Sequence, residues 1–238
     1  MLLKLLCVIG ILNKQRFLRN LAKIEYGNSI FLKKLSKKTE QQGHLEFSQA
    51  LIKHSKEENK HGIMLASLAD GTNRISRSGN GRWIKILRSG NNIVKNLTSF
   101  NNKPKIIQWN SSKYPGEKLI GMLESFDGMS FRYISARLLF KNISASDYSI
   151  PDQLAFMIIL EKEVNLLYQE LAKTNNLTLR TILNLILDDE INHVNYLEKW
   201  LNYFSPTPQE LTAHWNNRVK LAKWGLVIDA ILFLNTKY

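Results

Sequence analysis

The chain has 238 residues, 44% of them apolar, enough to bury one sizeable core, and a single domain with an insertion is the expected organisation. Its one cysteine, Cys7, excludes an internal disulfide and any CxxC metal or redox module, so a bound metal would have to be held by carboxylates and imidazoles. The formal charge of +13 is uneven: residues 1–110 carry 20 Lys/Arg against 6 Asp/Glu, and residues 111–238 carry 13 against 14. The basic front half points either to an anionic partner such as RNA or a lipid surface, or simply to a solvated basic face.

The stretch from Met1 to Leu12 is apolar, but no A-x-A-like cleavage site follows it and Lys14 and Arg16 come next. It is also too short to span a bilayer. It is expected to start a helix or to lie at an interface, with the chain in the cytoplasm or peripheral at a membrane.

Residues 15–36 and 44–68 both place apolar side chains at helical spacing, with a polar break from Lys37 to Gly43 between them. They predict a helical hairpin over 15–68. An insertion, 71–148, follows and is too long for a simple crossover. Residues 71–112 hold eight Lys/Arg and no Asp/Glu among Gly, Ser and Asn, a composition that reads as mobile. Trp83, Phe100 and Trp109 in that segment would either stack on bases or pin the loop to the core. Residues 117–142 carry enough apolar side chains for one or two helices.

Ser149, Pro151 and Asp152 together form a helix start, with Ser149 as the cap and Pro151 in the first turn. That helix is expected to reach Lys173, break at Thr174 to Asn176, and resume to Phe204, giving a second hairpin over 150–204. A last helix, 207–234, opens on Thr207, Pro208 and Glu210 with capping-box spacing. The predicted fold is all-α, a four-helix bundle of two hairpins with a long insertion and an extra C-terminal helix.

Two motifs carry chemistry. Glu58-Asn-Lys-His61 and Glu190-Ile-Asn-His193 are both Glu-x-x-His, a spacing that puts carboxylate and imidazole on one helix face. One copy is weak evidence, but two, each on the second helix of a hairpin, are specific. On the first helix, Glu25 shares its face with Leu18, Leu21, Ala22 and Leu32. On the third, Glu161 lies among Leu154, Met157, Ile158, Val164 and Tyr168, whereas Glu163 falls about 200° away. A carboxylate in an apolar stripe is costly to bury without a partner, so Glu25, Glu58, His61, Glu161, Glu190 and His193 are the candidate metal ligands.

His54, one turn before Glu58, reads as a core or partly exposed histidine, with a residue supporting the ligands or an extra ligand as the alternatives. Tyr168 is the candidate catalytic side chain, with core packing as the alternative. Asp189 turns away from Glu190, toward solvent or a supporting hydrogen bond. Trp200 reads as core. His44 and His214 show no such pattern.

In this order and spacing the residues resemble the ferritin-like di-iron carboxylate superfamily of rubrerythrins, ferritins and di-iron oxygenases, over residues 15–70 and 150–204. The later half is similar to the aldehyde-deformylating oxygenases in Glu161 with Tyr168 seven residues on, and in the run from Asp189-Glu190 through His193 and Tyr196 to Trp200-Leu201. The tRNA-modifying hydroxylases are a more distant likeness. The resemblance implies two iron ions, with manganese as the substitute, and dioxygen and an external electron donor as partners. The activity it implies is a hydroxylase or oxygenase acting on an organic substrate. The alternatives are a ferroxidase or rubrerythrin-like peroxide scavenger, and a metal-free helical module that binds RNA or a membrane surface.

Overall fold

A computed structural model of the chain describes residues 14–70, 74–76, 83–85 and 134–235. The apolar start with Cys7, most of the basic segment with Phe100 and Trp109, and the apolar run 117–133 lie outside the described residues, as does the side chain of Trp83. The described chain is helical apart from one small ribbon. Helix α1 spans Lys14–Gln41 and α2 Leu45–Ala69; strands β1, Arg74–Ser76, and β2, Trp83–Lys85, pair antiparallel with Ile75 opposite Ile84. Then come α3, Ile134–Phe140, a 3-10 turn at Ala145–Asp147, α4, Ile150–Leu171, α5, Leu177–Phe204, and α6, Pro208–Asn235. Among the described residues no helix is long and apolar enough to cross a membrane.

Helices α1 and α2 pack along each other as one hairpin, α4 and α5 as the other, and α2 meets α5 between them. Small polar side chains let α1 and α2 approach closely. The Ser29 hydroxyl donates to the Ser55 carbonyl at 2.7 Å, and the Ser55 hydroxyl returns a bond to the Ser29 carbonyl at 2.9 Å. Ser36 and Ser48 repeat the contact nearer the turn. These bonds satisfy buried hydroxyls that would otherwise be costly in the interface.

The polar run read as a break from Lys37 is instead helical to Gln41. Lys and Glu are good helix formers, and Leu35, Ser36 and Thr39 extend the buried face. The chain stops where Gly43 takes φ +85°. There the His44 N–H donates to the Thr39 carbonyl and the Gly43 N–H to the Glu40 carbonyl, both at 2.9 Å, closing the helix with a left-handed residue that suits glycine. The second hairpin starts as its residues suggest: the Ser149 side chain accepts from the Asp152 N–H with proline in the first turn, and Asn176 caps α5 by accepting from the Leu179 N–H.

The buried side chains form two apolar layers. One holds Phe31, Leu32, Leu35, Phe47, Leu51, Leu154 to Ile159, Leu197 and Leu201. The other holds Leu18, Leu21, Ala22, Met64, Leu65, Tyr168, Leu179, Ile182, Leu183 and Ile186. On each of the four bundle helices the chain passes from one layer to the other through a short polar stretch, and those stretches lie between the layers.

Helix α6 packs against α4 and α3. Trp215 is buried in the first layer and its Nε1–H donates to Asp152 Oδ1 at 3.0 Å. The buried Asp229 carboxylate accepts from the Ile134 and Ser135 N–H groups at 3.0 and 2.9 Å, so α6 caps the exposed donors of α3. Gly225 makes that contact possible: a Cβ there would lie 2.6 Å from the Ser135 Cα and N, which are backbone atoms that cannot swing aside. Gly225→Ala should therefore destabilise the protein by about 1–3 kcal/mol through overpacking, despite alanine's better helix propensity. Chemical denaturation of the variant beside the wild type checks this, with an unchanged midpoint as the contrary result.

Candidate metal centre

The polar stretches bring seven ionisable side chains together: Glu25 from α1, His54, Glu58 and His61 from α2, Glu161 from α4, and Glu190 and His193 from α5. All are at most 2% exposed. Their donor atoms fall into two groups of four, Glu25, Glu58, His61 and Glu190 in one and His54, Glu58, Glu161 and His193 in the other. Within each group the donors lie within 4.8 Å of one another, close enough to hold a metal ion, and Glu58 belongs to both. All six residues picked from the sequence thus meet at one place. Glu163 turns away from the centre, partly buried, and pairs with Lys223 of α6.

Glu58 is central. Its Oε1 lies 3.1 Å from His54 Nε2, 3.3 Å from His193 Nδ1 and 3.7 Å from His61 Nδ1. Its Oε2 accepts from the Asn28 amide at 2.9 Å, and the same Asn28 nitrogen reaches Glu161 Oε1 at 3.2 Å. The Tyr168 hydroxyl donates to Glu25 Oε1.

Each of the three imidazoles turns one nitrogen to the carboxylates and the other to a partner outside. His61 Nε2 lies 3.1 Å from Asp189 Oδ2, His193 Nε2 3.1 Å from Glu57 Oε2, and His54 Nδ1 2.6 Å from the Tyr196 hydroxyl. A carboxylate only accepts, so a proton on Nε2 of His61 and His193 would satisfy Asp189 and Glu57 and leave Nδ1 to the centre, the arrangement that fixes tautomer and ring orientation in metal-binding histidines.

Two of these outer partners are the residues just before the glutamates of the two motifs. Glu57 of α2 serves the histidine of α5, and Asp189 of α5 serves the histidine of α2. Sequence reasoning passed over Glu57 and Asn28, named Tyr196 only within a family likeness, and gave Asp189 a peripheral place. The signal it had was the repeated acid doublet, Glu57-Glu58 and Asp189-Glu190.

The centre is electrostatically strained without a cation. Burial, the nearby Glu58 and Glu161 charges and a hydrogen bond with Glu58 push the Glu25 pKa well above the usual carboxylate range. Glu190 is raised in the same way, by burial and by Glu161, Glu58 and Glu25. Burial also works against the Glu58 charge, but hydrogen bonds from His54 and Glu25 and the fields of His54 and His61 hold its pKa far down. For His54, burial opposes the charged form, yet hydrogen bonds to Glu161 and Glu58 overcome it and lift the pKa to about 9. Metal-free, the cluster is held by protons on Glu25 and Glu190 and by a charged His54. Even so, His61 Nδ1, Glu190 Oε1 and Asn28 Oδ1 are buried without hydrogen-bond partners, although the first two lie 3.1 Å apart. His61 and Glu190 belong to one of the two four-donor groups, where a bound cation would give both atoms a partner.

The pH dependence of the metal-free protein follows. Glu25, Glu190 and His54 have raised folded-state pKa values, so their stabilising protons are fully bound below the unfolded values and are lost as pH rises. Glu58, Glu161 and Asp189 are lowered, and their contribution is already complete above the unfolded carboxylate range. Between pH 6 and pH 9 only the first group changes, so chelator-treated protein should melt at a lower temperature at pH 9 than at pH 6. Calorimetry at the two pH values measures this, and a higher Tm at pH 9 would contradict the assignment.

No protein-family model matches the chain, and neither a curated protein nor a solved structure matches it, so the chemistry of this buried centre is the guide to what the protein does.

Proposed function

We propose that the protein is a di-metal carboxylate oxidoreductase of the ferritin-like kind. In this reading Glu25, Glu58, His61, Glu161, Glu190 and His193 hold two ions, iron by preference and manganese as the substitute. The observation that carries it is the convergence of four carboxylates and three imidazoles, all buried, between two apolar layers of a helical bundle. Two divalent ions bring four positive charges, which balance the four carboxylates Glu25, Glu58, Glu161 and Glu190 with the imidazoles neutral. That balance removes the cost of burying unpaired charge. Four carboxylates with imidazoles suit iron or manganese, and paired Glu-x-x-His helices with one further glutamate from each remaining helix are the ligand plan of di-iron bundles.

Bound iron would supply one-electron redox chemistry and the activation of dioxygen. The chain's own residues set the conditions for it. Glu58 is placed to be shared between the two sub-sites, while Asp189 and Glu57 hold His61 and His193 in the tautomer that leaves Nδ1 free. Tyr168 holds a proton against Glu25, whose pKa is raised by burial and by Glu58 and Glu161. The apolar layers above and below keep bulk water from the centre, which strengthens every electrostatic contact within it. A hydroxylase or oxygenase acting on an organic substrate, with dioxygen and an external electron donor as partners, is the activity we assign.

Elemental analysis of protein purified without chelators tests this reading, with the wild type beside Glu58→Ala and Glu190→Ala. The wild type should carry about two iron or manganese ions per chain, and both variants should fall well below that. Reduced, iron-loaded wild type should then consume dioxygen. Wild-type protein that takes up no metal even after anaerobic iron loading would rule the proposal out.

A further inference from the structure

The ligand plan of six residues leaves His54 unused, yet the structure puts it among the donors. Its Nε2 lies 3.1 Å from Glu58 Oε1 and 3.4 Å from Glu161 Oε1. Its ring lies beside that of His193, with centroids 3.6 Å apart and planes 31° from parallel, so both imidazoles address the same sub-site. Its outward Nδ1 meets the Tyr196 hydroxyl at 2.6 Å, which repeats the inner-nitrogen and outer-partner arrangement of His61 with Asp189 and His193 with Glu57.

The second hairpin provides an internal comparison. His54 stands four residues before Glu58, and the residue four before Glu190 is Ile186, fully buried in the apolar layer. An apolar side chain is therefore accommodated at that register, and an imidazole there needs a polar reason.

We propose that His54 is a seventh metal ligand and that it makes the two sub-sites chemically unequal. This rests on the di-metal reading above and goes beyond it. One sub-site then offers three carboxylates and one imidazole, from Glu25, Glu58, Glu190 and His61. The other offers two carboxylates and two imidazoles, from Glu58, Glu161, His54 and His193. Imidazole favours iron, cobalt, nickel and zinc over manganese, while carboxylate oxygens suit manganese. The His54 sub-site therefore takes a later first-row ion first, and the carboxylate-rich one is the place for manganese in a mixed pair.

The test is an anaerobic titration of the full chain with Co2+, followed by visible absorption and by proton NMR of the hyperfine-shifted, exchangeable imidazole N–H signals. Each ligated histidine keeps its outer nitrogen against a buried or half-buried partner, so each should give one such signal. The wild type should bind in two steps, with two N–H signals at the first equivalent and a third at the second. His54→Gln should weaken the tight step by roughly tenfold or more and remove one signal. Two cobalt ions bound with only two N–H signals at saturation would overturn the proposal while leaving the di-metal centre standing, as would a tight step unchanged in His54→Gln. The wild-type signal count decides the matter even where the variant does not fold. Wild-type protein that binds no Co2+ at all, and behaves like Glu58→Gln, would overturn both.

Discussion

Four carboxyl groups share a space with no bulk water, and the rest of the bundle is arranged around the cost of that. An isolated charge in an apolar interior is too expensive to keep, so the surrounding structure has to supply protons, imidazoles or cations. Without metal it does so unevenly. Glu25 and Glu190 are driven toward their neutral forms while Glu58 and Glu161 stay charged against His54. Cations would remove the need for that division, and His61 and Glu190, whose Nδ1 and Oε1 lie 3.1 Å apart, belong to one of the two groups that could hold one.

The geometry is braced across the two hairpins. Helices α2 and α5 each carry a glutamate and a histidine for the centre, and each lends the residue before its glutamate to the histidine of the other. Because His61 is held by Asp189 and His193 by Glu57, a shift of either helix along the other would break both contacts. Lys60 adds a bond to Asp189 at 3.0 Å and helps keep that carboxylate charged. Donors held this way would need little reorganisation to take up an ion, which is what a binding site requires of its scaffold. Within the first hairpin, the reciprocal Ser29 and Ser55 bonds fix α1 against α2 one turn from Glu25 and Glu58.

Much of this was legible because helical geometry is periodic. Glu-x-x-His places its two donors one above the other whatever the tertiary structure, and a step of about 100° per residue separates Glu161 from Glu163. Asp189 and Glu57 were harder to read for the same reason. One position from the buried face, a helical wheel points them away from the centre, and only the crossing of α2 and α5 brings each within reach of the other's histidine. His54 lies on the buried face, but one histidine in an apolar stripe reads equally well as core, and the proximity of His193 and Tyr196 is tertiary information. The end of α1 was misplaced because polar composition suggested a turn at Lys37, whereas the chain is turned by the backbone of Gly43 six residues later.

The two hairpins follow one plan, and three of the positions where they differ touch the centre. Around the glutamates of α1 and α4, Asn28 stands three residues after Glu25 where Val164 follows Glu161, and Tyr168 stands seven after Glu161 where Leu32 follows Glu25. Around the paired motifs, His54 answers to Ile186. Each polar member of these pairs touches a carboxylate of the centre: Asn28 bonds Glu58 and Glu161, Tyr168 bonds Glu25, and His54 meets Glu58 and Glu161. Each apolar member joins the core layers or packs against them. A symmetric bundle would be satisfied by the apolar residue at both places, so polar groups kept at one place of each pair give the two halves of the centre different surroundings. Tyr168 then stands beside the carboxylate-rich half and Asn28 and His54 beside the imidazole-rich half. The Tyr168 hydroxyl meets Glu25, which belongs to the first of these halves only, whereas His54 and His193 belong to the second.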